Sequence, residues 1–376
     1  MPRSSAEKCD LVMDRRCLGR ALLARQMLLQ RHDTSPARVV AHLVGMQAQV
    51  PANPFVALWS RLVDLDPAEV DRLLLQRRAV RTSLMRATVH LVDARDALVL
   101  RPLLQAVHER TFTGAFGKKL GEVDRAAVLA AGRSLLLAAP RTTAELAELL
   151  HPQFPAAEPD ALAQAVRYLL PLVQLPPRGC WRASKQATWA LTDEFLAASA
   201  PPAEPSLDEL VLRYLAAFGP ASVADLQTWC GLTRLREVVT RLRPQLCLVH
   251  DEQGRPLFDL PSAPRPPGDT PAPPRFLPEY DNLLLSHADR SRIVPQDPRI
   301  FNKLFADKGL ALGALLVDGE LRGTWKIARN KARADLTIWT LPGMRATDRQ
   351  AVGVEAERLL AFVEPDADDR DVRFAP

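Results

Sequence analysis

One order of segments recurs along the chain and limits the folds open to it: helix, short helix, third helix, then two strands joined by a turn. It is clearest at residues 206–262. "SLDELVLRYLAAFG" opens at Ser206, a helix-capping residue type, and Leu207, Leu210, Val211 and Tyr214 share one helical face. "GPASVADLQTWCGL" supplies a turn, a short helix starting near Ser222 and a stop at Gly231. "TRLREVVTRLRPQ" is a third helix with Thr233 as its expected cap. "LCLVHDEQGRPLFDL" then reads as two strands turning at residues 252–254.

This order is the winged-helix plan, a variant of helix-turn-helix. A second copy spans 122–200: "DRAAVLAAGRSLLLAA", then "TTAELAELL" capped at Thr142 or Thr143, "DALAQAVRYLLPLV", and a hairpin within "VQLPPRGCWRASKQATWALT". A less regular first copy covers 14–121, where "VDRLLLQRRAVRTSLMRATVHLV" would supply a helix and one closing strand. Proline density at 263–278 predicts an extended connector, a poor helix or strand. The remainder, 279–376, has alternating β-rich runs with turns at "VDGEL" and "ARNKAR". These predict a small antiparallel sheet or open barrel, followed by a final helix, "DRQAVGVEAERLLAFV", and an acidic tail. The expected fold class is α+β, mainly α, with tandem winged helices and a C-terminal β-rich unit.

Composition narrows the function. Hydrophobic residues make up 47% and charged residues 25%, ordinary for a globular protein, and 376 residues suffice for two to four units. A net charge of +5 and a pI near 9.1 suit a polyanionic partner. The cysteines (Cys9, Cys17, Cys180, Cys230, Cys247) are scattered and form no C-x-x-C pair, so neither a disulfide framework nor a zinc site is expected. The polar, charged N-terminus does not read as a secretion signal, and no run of about 18 apolar residues predicts a membrane span. A cytoplasmic, nucleoid-associated monomer without metal or cofactor is the expectation. Nucleotide-binding and hydrolase signatures such as a P-loop, G-x-G-x-x-G, G-x-S-x-G or H-E-x-x-H do not occur.

Three stretches could carry chemistry. In "LVGMQAQVPANPF", Gln47 and Gln49 sit in an apolar run between Gly45 and Pro51, which argue against a continuing helix. On extended backbone the two amides would face one side, whereas on a helix they would diverge by roughly 200°. Satisfied structural polars are the competing reading. In "RTSLMRATVHL", strand alternation would point Arg86, Thr88 and His90 one way as a candidate site wall, although a lone histidine is more often structural. Residues 322–333 hold Arg322, Lys326, Arg329, Lys331 and Arg333 around Trp325, without an acid. Such a hairpin tip could lie along phosphates or enter a groove, or could simply be a solvated turn guarding a sheet edge.

Taken together, "GMQAQVPANPFVALWSRL", "LMRATVHLV" and "FLPEYDNLLLSHADR" resemble the bacterial winged-helix DNA glycosylases of the AlkZ group, over about residues 18–362. In that family Q-x-Q is the catalytic signature, and 47–49 matches it where a related branch has Q-x-D. The resemblance implies tandem winged helices in a C shape around double-stranded DNA. It implies hydrolysis of the N-glycosidic bond of N7-alkylguanine, including interstrand crosslinks of the azinomycin kind, as DNA repair and toxin self-resistance. Gln47 and Gln49 would be catalytic. Arg86, Thr88, His90, Trp325, Lys326, Arg329, Lys331 and Arg333 would contact DNA. Two other classes remain open at this point. A winged-helix transcription regulator would bind DNA without chemistry, and a sequestering protein would need an apolar pocket for the toxin.

Overall fold

The structure is a computed structural model that describes residues 10–197, 204–295 and 312–375. Cys9 and portions of the expected units at 122–200 and 279–376 lie outside the described residues. In chain order, β1 (Asp10–Met13) leads into helices Arg15–Arg25 and Pro36–His42. Then come β2 (Met46–Gln47), helices Asn53–Trp59 and Pro67–Leu75, β3 (Ala79–Ser83) and β4 (Val89–Asp93). Helices Ala94–Leu103, Gln105–Leu120 and Arg125–Ala138 precede β5 (Arg141–Thr142), helices Thr143–Leu150 and Pro159–Leu169, β6 (Leu172–Gln174) and β7 (Thr188–Leu191). Helices Leu207–Phe218, Val223–Cys230 and Leu235–Leu242 lead to β8 (Cys247–Asp251) and β9 (Pro256–Asp259). The last region comprises β10 (Arg275–Leu277), the short helix Asn282–Leu285, β11 (Gly313–Val317), β12 (Glu320–Asn330), β13 (Arg333–Thr340), helix Ala346–Val363 and β14 (Asp369–Ala375).

Local capping chemistry sets many of these boundaries. The Ser206 hydroxyl accepts from the Glu209 amide. Thr142 with Glu145, and Ser222 with Asp225, form reciprocal capping boxes. Gly231 closes its helix at φ 82, a left-handed conformation natural to glycine. Thr233 is not a cap: the flanking residue is Arg234 at φ 62, with no side-chain cap, and the helix starts at Leu235.

Three further expectations need correction. Residues 81–91 are not one strand, because the chain reverses between β3 and β4 through a tight turn at Met85–Ala87. The proline-rich connector ends in a real strand, since β10 pairs antiparallel with β11. The acidic tail is also structured: β14 pairs parallel with β13, making the C-terminal five-stranded sheet mixed, in the order β10-β11-β12-β13-β14. The Arg333 guanidinium reaches Asp369 at 2.6 Å and Asp371 at 2.9 Å, pairing with two of the tail's acids.

The six-stranded sheet runs β2-β4-β3-β6-β7-β5 and joins the β3–β4 hairpin to the β6–β7 pair through β3 and β6, with Arg81 opposite Gln174. β1 adds in parallel to β8 and extends the β8–β9 hairpin to three strands. Deep ion pairs fasten helix Arg15–Arg25 and the turn just after helix Asn53–Trp59 to distant segments. Arg25 holds Asp259 at 2.6 and 2.9 Å, and Arg61 holds Asp281 at 3.1 Å through each of two nitrogens. An aromatic run, Phe55–Trp181–Phe362–Trp59, has centroids 4.8, 5.1 and 6.0 Å apart and packs the helix after the glutamine motif against the second hairpin loop and the final helix. Among the described residues no helix is long and apolar enough to cross a membrane.

Candidate active site

The glutamine motif starts where helix Pro36–His42 stops. Val44 and Gly45 turn the chain at φ 56 and 91, and the backbone then runs extended through Met46 and Gln47, with Gln47 opposite His90 on β4. The Ala48 amide donates to the Val89 carbonyl at 2.7 Å, continuing the ladder by one residue. Both glutamine side chains therefore reach the same stretch of neighbouring chain. Gln47 Oε1 accepts from Arg86 Nη2 at 2.7 Å, and Gln49 Oε1 accepts from the Val89 amide at 3.2 Å. Gln47 is buried at 8% exposure while Gln49 is exposed, so the pair spans the boundary between protein and solvent.

Two arginines stand behind the motif, Arg81 buried and Arg86 half-buried. Arg81 Nη2 donates to the Ala48 carbonyl at 2.8 Å, and its Nε to Gln174 Oε1 at 3.1 Å. Arg86 donates to Gln47, to the Trp229 carbonyl at 2.5 Å and to Asn282 Oδ1 at 3.3 Å. Burial lowers both guanidinium pKa values to about 10, which leaves them charged at neutral pH. A strap at 279–282 covers the motif. Asn282 Nδ2 donates to the Gly45 carbonyl at 3.1 Å, and Asn53 Nδ2 donates to the Glu279 carbonyl at 2.7 Å. Burial pushes the Glu279 carboxyl pKa up, with Lys326 pulling it the other way. Val44, Arg86, Ala87 and Tyr280 are non-glycine residues at φ 56, 56, 57 and 60 around this point. Left-handed backbone of this kind costs on the order of 1 kcal/mol or more per residue and collects at functional sites.

The other expected site residues divide. Thr88 is half-buried and donates its hydroxyl to the Met85 carbonyl at 3.0 Å. His90 is fully buried. Its Nδ1 donates to the Thr88 carbonyl at 2.8 Å, its Nε2 has no partner, and burial lowers its pKa to about 3. A side chain so placed cannot touch DNA, and the polar row expected of Arg86, Thr88 and His90 is broken by the reversal at 85–87. Trp325 is likewise not at a tip. It is 8% exposed in mid-strand on β12, donates Nε1–H to the Leu277 carbonyl at 2.9 Å and meets Phe276 edge-on at 5.9 Å. The true tip is at residues 329–333. Lys326 and Lys331 are exposed, whereas Arg329 pairs with Glu364 and Arg333 with Asp335, Asp369 and Asp371. Arg81, Asn53 and Asn282 escaped the sequence reading. The available signal was the one that singled out the glutamines, a lone polar residue in an apolar run. Among the described residues no group of histidines, cysteines and carboxylates is arranged to hold a metal.

The site thus sets two amides, one buried and one exposed, beside the guanidinium groups of Arg81 and Arg86. The sequence model of the DNA glycosylase AlkZ-like family matches residues 40–362. The chain therefore belongs to the AlkZ-like DNA glycosylase family. Among solved structures it is similar to Streptomyces sahachiroi DNA glycosylase AlkZ, at a TM-score of 0.75 and 21% identity over 97% of this chain and 100% of that one. None of the curated protein sequences matches.

Proposed function

We propose that the chain hydrolyses the N-glycosidic bond of N7-alkylguanine in double-stranded DNA, leaving an abasic site. Alkylation at N7 makes the guanine cationic, so it leaves with the C1′–N9 electron pair as a neutral purine and needs no general acid. The sugar becomes oxocarbenium-like, water adds at C1′, and its proton passes to solvent. Such a step needs a held water and oriented dipoles more than a strong base. In this reading Gln49 aligns the water and Gln47 supports it or the sugar. The observation that carries the reading is that Gln47 and Gln49 both lodge their carbonyl oxygens on residues 86–89, one amide buried and the other open to solvent.

The openness of Gln49 also favours tethered lesions. A guanine crosslinked to the opposite strand cannot swing into a deep pocket, so a site at the protein surface suits interstrand crosslinks, including those of azinomycin, and a role in toxin self-resistance. The tandem winged helices at 14–121, 122–200 and 206–262 would form a C around the duplex. The exposed Lys326 and Lys331, with Arg329 and Arg333, would lie along phosphates. Incubation with DNA containing N7-methylguanine, followed by alkaline cleavage of abasic sites, tests the proposal. Strand breaks that depend on Gln49 are expected. Tight binding to one sequence without breaks would instead mark a transcription regulator.

A further inference from the structure

Arg86 contrasts with Arg25 and Arg61 and shares with Arg81 a set of purely neutral acceptors. Arg25 and Arg61 each meet a carboxylate, Asp259 and Asp281. Among the described residues Arg86 meets none. Its three acceptors are the Trp229 carbonyl, Asn282 Oδ1 and Gln47 Oε1, drawn from three separate segments. A half-buried, largely desolvated cation stabilised only by neutral acceptors is costly relative to an ion pair. The backbone adds to that cost, since Arg86 and Ala87 are consecutive non-glycine residues in left-handed conformation. Costs of this kind are retained where a geometry must be enforced.

The geometry enforced is that of one amide. A guanidinium can only donate, so the atom of Gln47 that faces Arg86 has to be its carbonyl oxygen. The Gln47 NH2 group is thereby turned away from the cation. Asn282, also bound to Arg86, holds the Gly45 carbonyl just before the motif, so the clamp acts on backbone and side chain together. Gln49 differs. Its oxygen accepts only a neutral backbone N–H, which leaves a carbonyl lone pair on an exposed side chain.

We propose that Arg86 is a positioning residue that locks the Gln47 carboxamide with its N–H groups toward the substrate. Gln47 then serves as hydrogen-bond donor and Gln49 as the acceptor that aligns the attacking water. This rests on the glycosylase reading above and divides the labour that reading left shared.

The decisive variant is Gln47→Glu, which keeps the oxygen facing Arg86 but removes the donor. It should excise N7-methylguanine no faster than Gln47→Ala in single-turnover assays. A rate equal to or above wild type would overturn the proposal, because it would mean that negative potential at position 47 is what matters. In a double-mutant cycle, Arg86→Ala should slow excision by about tenfold or more in the wild-type background and add little in Gln47→Ala. Multiplying effects, or lost DNA affinity at an unchanged rate, would also overturn it. If Arg86→Ala does not fold, Arg86→Lys replaces it in the cycle and Gln47→Glu still decides. Failure of the wild type to release N7-methylguanine would sink the glycosylase reading alone. The side-chain amide 15N resonance of Gln47, assigned by its loss in Gln47→Ala, would then report on the clamp: it must shift in Arg86→Lys if Arg86 sets its orientation.

Discussion

The Arg25 guanidinium and the Asp259 carboxylate meet in a two-pronged contact with both side chains wholly excluded from solvent, although 234 residues separate them in sequence. Arg265 adds a third donor to the same carboxylate at 2.7 Å. Removing one partner leaves charge buried without compensation. Asp259→Ala is therefore expected to destabilise the protein by about 3–5 kcal/mol. Equilibrium urea denaturation would measure it, and a loss near that of an exposed pair would contradict this account of how the first helix is anchored.

Gln47→Ala and Gln49→Ala should each lower single-turnover excision by about tenfold or more while leaving binding to adducted DNA nearly unchanged. Near-normal rates in both variants would remove the glutamine pair from the mechanism.

Gly179 gives access to the site from a distance. It sits at φ 92 in the loop between β6 and β7, where an added methyl would strike the buried Arg81 side chain that holds the Ala48 carbonyl. Both the left-handed backbone and the collision disfavour alanine there. Gly179→Ala should lose stability and also slow excision, while Gly254→Ala, at a turn with open space around it, should leave the rate alone. Equal effects of the two changes on excision would refute the link.

Acid should weaken the fold before any carboxylate does. Burial depresses the pKa of His90 to about 3 and that of His108 to about 4, against an ordinary 6.5. The unfolded chain takes up protons below pH 6.5 that the folded chain refuses. The associated stability is thus complete above 6.5 and drains away as pH falls toward 4, on the order of 1 kcal/mol per histidine for each pH unit. Urea midpoints across that range should fall, and His108→Asn should flatten the slope. An unchanged midpoint would contradict the burial of these rings.

At the β12–β13 tip, Lys331 stands exposed while Arg333 is engaged by three aspartates. Lys331→Ala should weaken DNA binding across all sequences and lower the slope of log affinity against log salt by about one, with Arg333→Ala doing less. The reverse ranking would show that the aspartates release Arg333 on DNA.

The sequence disclosed what local chemistry decides. Ser206, Ser222, Thr142 and Gly231 announced helix ends because a hydroxyl or a missing Cβ acts within four residues. The turns at 252–254 and 318–319 announced hairpins in the same way. What it concealed was set by distant partners. Nothing between Leu84 and Thr88 signals a reversal, since Arg86 takes its left-handed conformation to reach Trp229 and Gln47. The tail strand β14 is held by its ladder with β13, by Val372 and Phe374 against the core and by Arg333 and Arg373, which pair with its acids. The glutamines were visible as misplaced polars, but the clamp that orients one of them needs residues 39, 143 and 196 positions apart in pairwise contact.

The continuous plate from β2 to β5 bears on how a lesion is engaged. It carries the glutamine-bearing edge and the second hairpin as one hydrogen-bonded piece, with no pivot between them: rotating one half against the other would tear β3 from β6. On the proposed reading, accommodation of a distorted duplex would then fall on the nucleic acid and on the connecting loops, with the protein as a fixed template to which the helix conforms.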